Sequence, residues 1–299
     1  MDFTPKWKMP SVLCFQLKSE HSVVDNSWKE RIDTRLLYED FYYLGIPRRE
    51  EQTVLLKPNE APKKGTLVAL DAEFVSLQKE ENEVKADGMK VIVRPSRLGL
   101  ARVSVLRGQG ELEGVPFVDD YIATREPVVD FLTSYSGIHP GDLDPMSSRR
   151  ALVSLKVAYK RMWILLNLGC TFVGHGLLQD FRIISTSPIH PISLSAPTNH
   201  STIDIHVPRD QVIDTVDIYA LRNSQRKLSL RFLAWVVLND HIQTETHDSI
   251  EDSRTALRLY RKYQEYVDAG VLEEVFDRIY QEGLKGGFKP PAMATMGSM

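Results

Sequence analysis

The run TLVALDAEFVSL, residues 66–77, sets two carboxylates inside an otherwise apolar stretch. Bounded by Lys-Lys-Gly before it and a lysine- and glutamate-rich loop after it, the run reads as a buried strand. Side chains two apart on a strand share a face, so Asp71 and Glu73 project the same way. Burying two like charges together without a cation is costly, so the pair must either reach solvent at the strand's edge or share something cationic. Asp-x-Glu occurs once among 21 Asp and 19 Glu, about what chance supplies. Its position inside an apolar strand is what gives it weight.

From Thr66 onward strands and helices alternate. Residues 99–106 and 116–124 read as two more strands across the glycine-rich turn RGQGELEG, making an antiparallel meander. Within residues 147–168, Leu152, Leu155, Ala158, Tyr159, Met162, Leu165 and Leu166 recur at helical spacing, with serines before them and Gly169 beyond. That is the longest helix the pattern predicts. CTFVG reads as a strand, GLLQDFRII as a short helix and QVIDTVDIY as a further strand. Ser229 can cap the helix LRFLAWVVL, and residues 251–267 and 272–280 give two more helices. This order predicts an α/β fold, a mixed sheet flanked by helices.

Composition excludes several classes. A hydrophobic share of 42% rules out disorder as the main state. Lysine and arginine total 37 against 40 acidic residues, a net charge of -3, so no global basic field advertises nucleic acid or an anionic membrane. No apolar run approaches the roughly 18–20 residues that cross a bilayer, and the N-terminus lacks the apolar core of a secretory signal. Two cysteines, Cys14 and Cys170, cannot build a disulfide framework, which favours a reducing, cytoplasmic setting.

Residues 1–60 have a different texture: a short apolar run, the aromatic cluster Phe41, Tyr42 and Tyr43, and then PRREEQTVLLKPNEAPKKG, whose charges and prolines read as a linker. Too few strands precede that linker to make a core, so this part is expected to be the end of a domain whose beginning is absent. Residues 185–204, STSPIHPISLSAPTNHSTID, and the tail from residue 284 to 299 are expected to be disordered.

Histidine precedes aspartate by five residues three times, at His139/Asp144, His175/Asp180 and His247/Asp252. The first lies in GIHPGDLDP, where turn-forming acids are the simpler reading. Asp180 follows the strand CTFVG, at the sheet edge where α/β folds gather their sites. Asp252 falls in the first turn of a helix, where Asp248 with Glu251, or Ser249 with Asp252, can also form a capping box. Taken together, Asp71 and Glu73 on one strand and Asp180 and Asp252 on two further elements, with His247 beside the last, are what holding two divalent metals about 4 Å apart with a base alongside requires.

Those residues, with the blocks LVALDAEFVSL, TFVGHGLLQDFRI and THDSIEDSRTALRLYRKY, make the chain resemble the histidine-type branch of the DEDD exonucleases, which has a ribonuclease-H-like fold. PFVDDYIATREPVVDFLTSYSGIHPGDLDP, VPRDQVIDTVDIY and RKLSLRFLAW extend the likeness to the catalytic subunits of poly(A) nuclease deadenylases. The resemblance implies an exonuclease domain over residues 61–283, after an inactive ubiquitin-hydrolase-like domain whose last part would be residues 1–60. It implies two divalent cations, Mg2+ or Mn2+. Asp71 would bridge them, Glu73 and Asp252 would complete the site that activates water, Asp180 would hold the second ion, and His247 would be the general base. The implied partners are poly(A) RNA, a pseudokinase-like regulatory subunit and, indirectly, poly(A)-binding protein. Leu77 matches an apolar wedge against the terminal base or is a core leucine. Phe74 is a stacking platform or core. Arg226 and Lys227, with Arg222 and Arg231, meet phosphates or form a solvated helix start. Asp214 and His175 are expected to be structural. Residues 185–204 look like an insertion relative to that family, soon after Asp180.

Overall fold

Leu67–Gln78 (β1) forms a strand because, its two acids aside, it offers apolar side chains to both faces; Val68, Ala69, Leu70 and Val75 are buried. The computed structural model describes residues 33–43, 52–85, 89–186, 188–189, 201–202, 207–221 and 226–291, all within one compact unit, Asp33–Met299. After β1 come β2 (Glu81–Val84) and β3 (Lys90–Arg94), an exposed antiparallel hairpin where the charge pattern predicts a loop. β4 (Arg97–Arg107) and β5 (Pro116–Ile122) complete the expected meander. A one-turn helix α1 (Thr133–Ser136), β6 (Leu152–Val153), α2 (Leu155–Asn167), β7 (Thr171–Gly174) and α3 (Leu177–Thr186) follow. Then come the short antiparallel pair β8 (Pro188–Ile189) and β9 (Ser201–Thr202), then β10 (Val212–Asp214) and α4 (Thr215–Ile218). α5 (Leu230–Leu238), α6 (Ser249–Asp268) and α7 (Leu272–Gly286) end the described chain. No described helix is long and apolar enough to cross a membrane.

Six strands form one mixed sheet in the order β10-β7-β1-β4-β5-β6. β1 sits near its middle, antiparallel to β4 and parallel to β7. α6 lies on that sheet: Ile250 and Leu257 pack with Leu67, Ala69, Leu106 and Val173. Its other side joins α5 and α7 around Phe232, Leu233, Leu259 and Ile279. Each such fully buried side chain contributes roughly 1.5–3 kcal/mol, which is why α7 stays on the domain.

Four elements differ from the periodicity. The helix expected from residue 147 begins only after Ser154, whose side chain accepts from the Val157 amide. Leu152 and Val153 instead pair with Tyr121 and Ile122, because β5 offers them a free edge. α6, with 20 residues, is the longest described helix. QVIDTVDIY stops being a strand at Asp214, whose carboxylate caps α4 through the Val216 amide. The tail expected to be loose from residue 284 onward is ordered further: α7 runs through Gly286, and Phe288 packs on Phe232, with ring centroids 5.6 Å apart. Most of residues 185–204, the tail from residue 292, Cys14 and Arg222 lie outside the described residues.

The segment read as a linker is fastened to the sheet. Buried Arg107 donates to the Val54 and Leu55 carbonyls and to both Glu60 oxygens, at 2.7–3.1 Å. Earlier still, Leu36 and Leu37 are buried. Arg161 on α2 bonds the Leu36 and Glu39 carbonyls while pairing with buried Asp120. Backbone carbonyls, which the composition does not reveal, supply much of this attachment.

Candidate active site

β1 presents Asp71 and Glu73 on one face, opposite Ser104 and Arg102 of β4. α6 delivers Asp252 to the same place: oxygen atoms of Asp71, Glu73 and Asp252 all lie within 4.8 Å of one another. The start of α6 makes this possible by dividing the labour between two aspartates. Asp248 is the cap, accepting from the Ile250 and Glu251 amides at 3.0 Å. Capping therefore leaves the Asp252 carboxylate, one turn on, free to face β1.

His247, just before the cap, places Nδ1 at 3.2 Å from Asp252 Oδ2. Its backbone rests on Gly137, where an added Cβ would come within 2.3 Å of the His247 carbonyl oxygen. Tyr135, highly exposed, sits beside the imidazole, with ring centroids 6.2 Å apart. Asp180 stands in the first turn of α3, outside the close trio of oxygens, yet near enough for its charge to act on Asp71 and Glu73.

The acids raise one another's pKa. Burial, then Glu73, Asp252 and Asp180, push Asp71 well above the usual carboxylate range. Burial and Asp252 lift Glu73 to about 9, and burial and Asp214 lift Asp180 to about 7. Arg102 opposes this. It chelates Asp119 through Nε and Nη2 at 2.7 and 3.1 Å, and its Nη1 reaches Asp248 at 2.8 Å. Although burial works against its own charge, those carboxylates keep the guanidinium protonated. Burial also works against Asp248, but Arg102 and the capping amides hold it below its ordinary pKa.

The other residues singled out in the sequence lie as follows. Asp214 caps α4 and also accepts from the Gly176 amide, and His175 Nδ1 lies 2.8 Å from Thr215 Oγ1, so both are engaged in the fold. His139 and Asp144 belong to turns. Leu77 packs with the cluster of Val75, Ala101 and Tyr121 and lies over Gly99. Phe74 is half-buried opposite Leu100. The Arg226 guanidinium lies over the Phe288 ring at 4.7 Å, while Lys227 and Arg231 are exposed. Sequence reasoning missed Arg102, Gly137, Tyr135 and Gln243. Only the register of β4 against β1 betrays Arg102, and the loop residues carry no periodic signal.

A ribonuclease-H-like sheet that brings acids from its central strand and from two flanking helices to one edge defines a class, and the chain belongs to the exonuclease family, whose profile matches residues 68–260. Among named relatives, it is 52% identical over 297 residues to the PAN2-PAN3 deadenylation complex catalytic subunit PAN2 of Phaeosphaeria nodorum, covering 99% of this chain and 25% of that protein. The subunit of the same name from Chaetomium thermophilum is 52% identical over 293 residues, 97% of this chain and 23% of that protein. The chain thus spans about a quarter of the length of these curated relatives. Among solved structures, the Neurospora crassa Pan2 catalytic unit, protease and nuclease domain, aligns with TM-score 0.67 and 45% identity over 85% of this chain and 35% of that one. The Saccharomyces cerevisiae Pan2 pseudoubiquitin hydrolase-RNA exonuclease module in complex with A7 RNA aligns with TM-score 0.70 and 44% identity, over 87% and 37%.

The site fits divalent cations on its own chemistry. Glu73 Oε1 is buried without a hydrogen-bond partner, and a carboxylate oxygen stranded beside two further carboxylates lacks a positive ligand. Hard oxygen donors from separate elements are the donor set that Mg2+ and Mn2+ prefer.

Proposed function

We propose that the chain is a 3′ to 5′ exoribonuclease that shortens poly(A) and releases 5′-AMP. The convergence of Asp71, Glu73 and Asp252 within 4.8 Å, beside His247, is the observation that carries this reading. Asp71, Glu73 and Asp252 would hold the cation that activates water, and Asp71 with Asp180 would hold the second. When bound, the cations supply Lewis-acid activation of the attacking water and charge stabilisation at the leaving 3′-oxygen.

The chain's own residues manage the proton and the geometry. A neutral imidazole protonated at Nδ1, donating to Asp252, leaves Nε2 as acceptor for the proton of the attacking water. Gly137 sets the height of His247 above the cluster. Gly137→Ala should therefore cost about 1–3 kcal/mol in stability, since its φ is +63°. It should also lower kcat at least tenfold by displacing the base; thermal denaturation and a single-turnover assay measure the two effects.

Poly(A) as substrate is supported by the likeness to deadenylase subunits, not by a base-reading pocket. By the same likeness, the chain works with a pseudokinase-like regulatory subunit, reaches tails through poly(A)-binding protein and acts in the cytoplasm. The test uses end-labelled oligo(A), mixed-sequence RNA and DNA with Mg2+ or with EDTA. Magnesium-dependent shortening of oligo(A) in preference to the others is expected. Equal digestion of all three would make it a general 3′-exonuclease, and no digestion of any would make it a binding module.

A further inference from the structure

Gln243 lies in the loop between α5 and α6 with its backbone at φ +53°, a left-handed conformation that suits glycine better than a residue with a side chain. The loop holds it there firmly. Neighbouring Ile242 is buried in the helical core, and the Gln243 amide donates to Glu251 Oε2 at 3.0 Å. This arrangement aims the side-chain carboxamide inward. Its Nε2 donates to Asp252 Oδ1 at 3.0 Å and to Oδ2 at 2.9 Å, and stands 3.3 Å from His247 Nδ1. The carboxamide thus bridges both oxygens of a carboxylate that belongs to the acidic trio.

We infer that Gln243 is a positioning residue that competes with the cation at Asp252: its amide takes up the carboxylate's lone pairs in the metal-free protein and gives up at least one of them when the ion arrives. This rests on the reading of Asp71, Glu73 and Asp252 as cation ligands. An ionised carboxylate offers about four acceptor sites, and the amide engages both Asp252 oxygens, while Glu73 Oε1 nearby has no donor at all. The amide dipole turns its positive end toward the cluster, a weak substitute for an ion. It keeps Asp252 in register, and Asp252 in turn holds His247 Nδ1 at 3.2 Å, so the site is assembled before loading. The cost is affinity, because a hydrogen bond to a charged group must be exchanged for the ion.

The experiment is calorimetric titration of Mn2+ into the whole chain, native and Gln243→Met, together with the melting temperature of each without metal. Methionine keeps the length and lack of branching and removes the donors. Gln243→Met should bind Mn2+ roughly tenfold more tightly and melt lower than native when metal-free, with a larger rise on adding Mn2+. Gln243→Glu, folded and dialysed in the presence of the ion, should also bind more tightly, and it covers a methionine variant that does not fold. Equal or weaker Mn2+ affinity in the substituted protein, with native binding intact, would overturn the competition and leave the cation-site reading standing. Absence of Mn2+ binding to the native chain would overturn both.

Discussion

Asp71→Asn is expected to abolish hydrolysis while leaving the metal-free fold at least as stable as the native one. After burial, three acidic neighbours together raise the pKa of Asp71. Charge stabilisation by the cations it would hold is worth several kcal/mol at the transition state. At 1.36 kcal/mol per factor of ten, its loss lowers the rate on the order of a thousandfold or more. Asparagine is nearly isosteric and removes one member of a repelling cluster, so the melting temperature without metal should hold or rise by a few degrees, as substitutions at strained sites often do. Rate on labelled oligo(A) and melting with and without Mg2+ give both quantities. A variant that retains a tenth of native activity would remove Asp71 from the chemistry. One that melts well below native would show the acid to be a fold-stabilising group.

Arg102→Met should be the most damaging single change to stability among the residues around the site. Arg102 is 6% exposed, and so is Glu73 opposite it; Asp119 is 5% exposed. Removing the guanidinium strands Asp119, which retains only Ser104 Oγ at 2.8 Å, and releases the α6 cap, Asp248. It also takes away a charge that lowers the pKa of both Asp71 and Glu73. Breaking a buried ion pair on one side costs about 3–5 kcal/mol, which for a domain of this size is roughly a 10 °C fall in Tm. Arg102→Met with Asp119→Leu should recover part of that loss, because the orphaned charge goes with its partner. Urea denaturation of the single and double variants reads the coupling; a single variant within about 0.5 kcal/mol of native would mean that the guanidinium does not carry the site's charge balance.

What the sequence made legible follows the periodicities of buried elements. β1 announces itself through an apolar run interrupted by two acids in step, and α6 through Ala256, Leu259 and the spacing that faces them to the core. The five-residue interval from His247 to Asp252 is local, so it survives without tertiary knowledge. Illegible features depend on distant partners. Arg102 meets Asp248 across 146 positions of chain, and nothing near either residue signals the other. β2 and β3 are exposed along their whole length, so no core alternation marks them. Leu152 and Val153 match a helix by spacing but are recruited by the edge of β5. Gln243 sits in a loop, where the backbone angle and not the residue type carries the information.

The family match begins at residue 68 and ends at residue 260, but the compact unit extends beyond both limits. A fragment excised at residue 68 would leave Arg107 and Arg161 with their guanidinium groups stripped of the carbonyls of residues 36, 39, 54 and 55. One excised at residue 260 would bare Phe232 and Leu259 where Val275 and Ile279 now cover them. Homology measures which positions have been constrained to resemble one another. Mechanical integrity depends instead on who satisfies whose hydrogen bonds, so a self-standing version of this domain has to carry the strap before β1 and the helix α7 that follows α6.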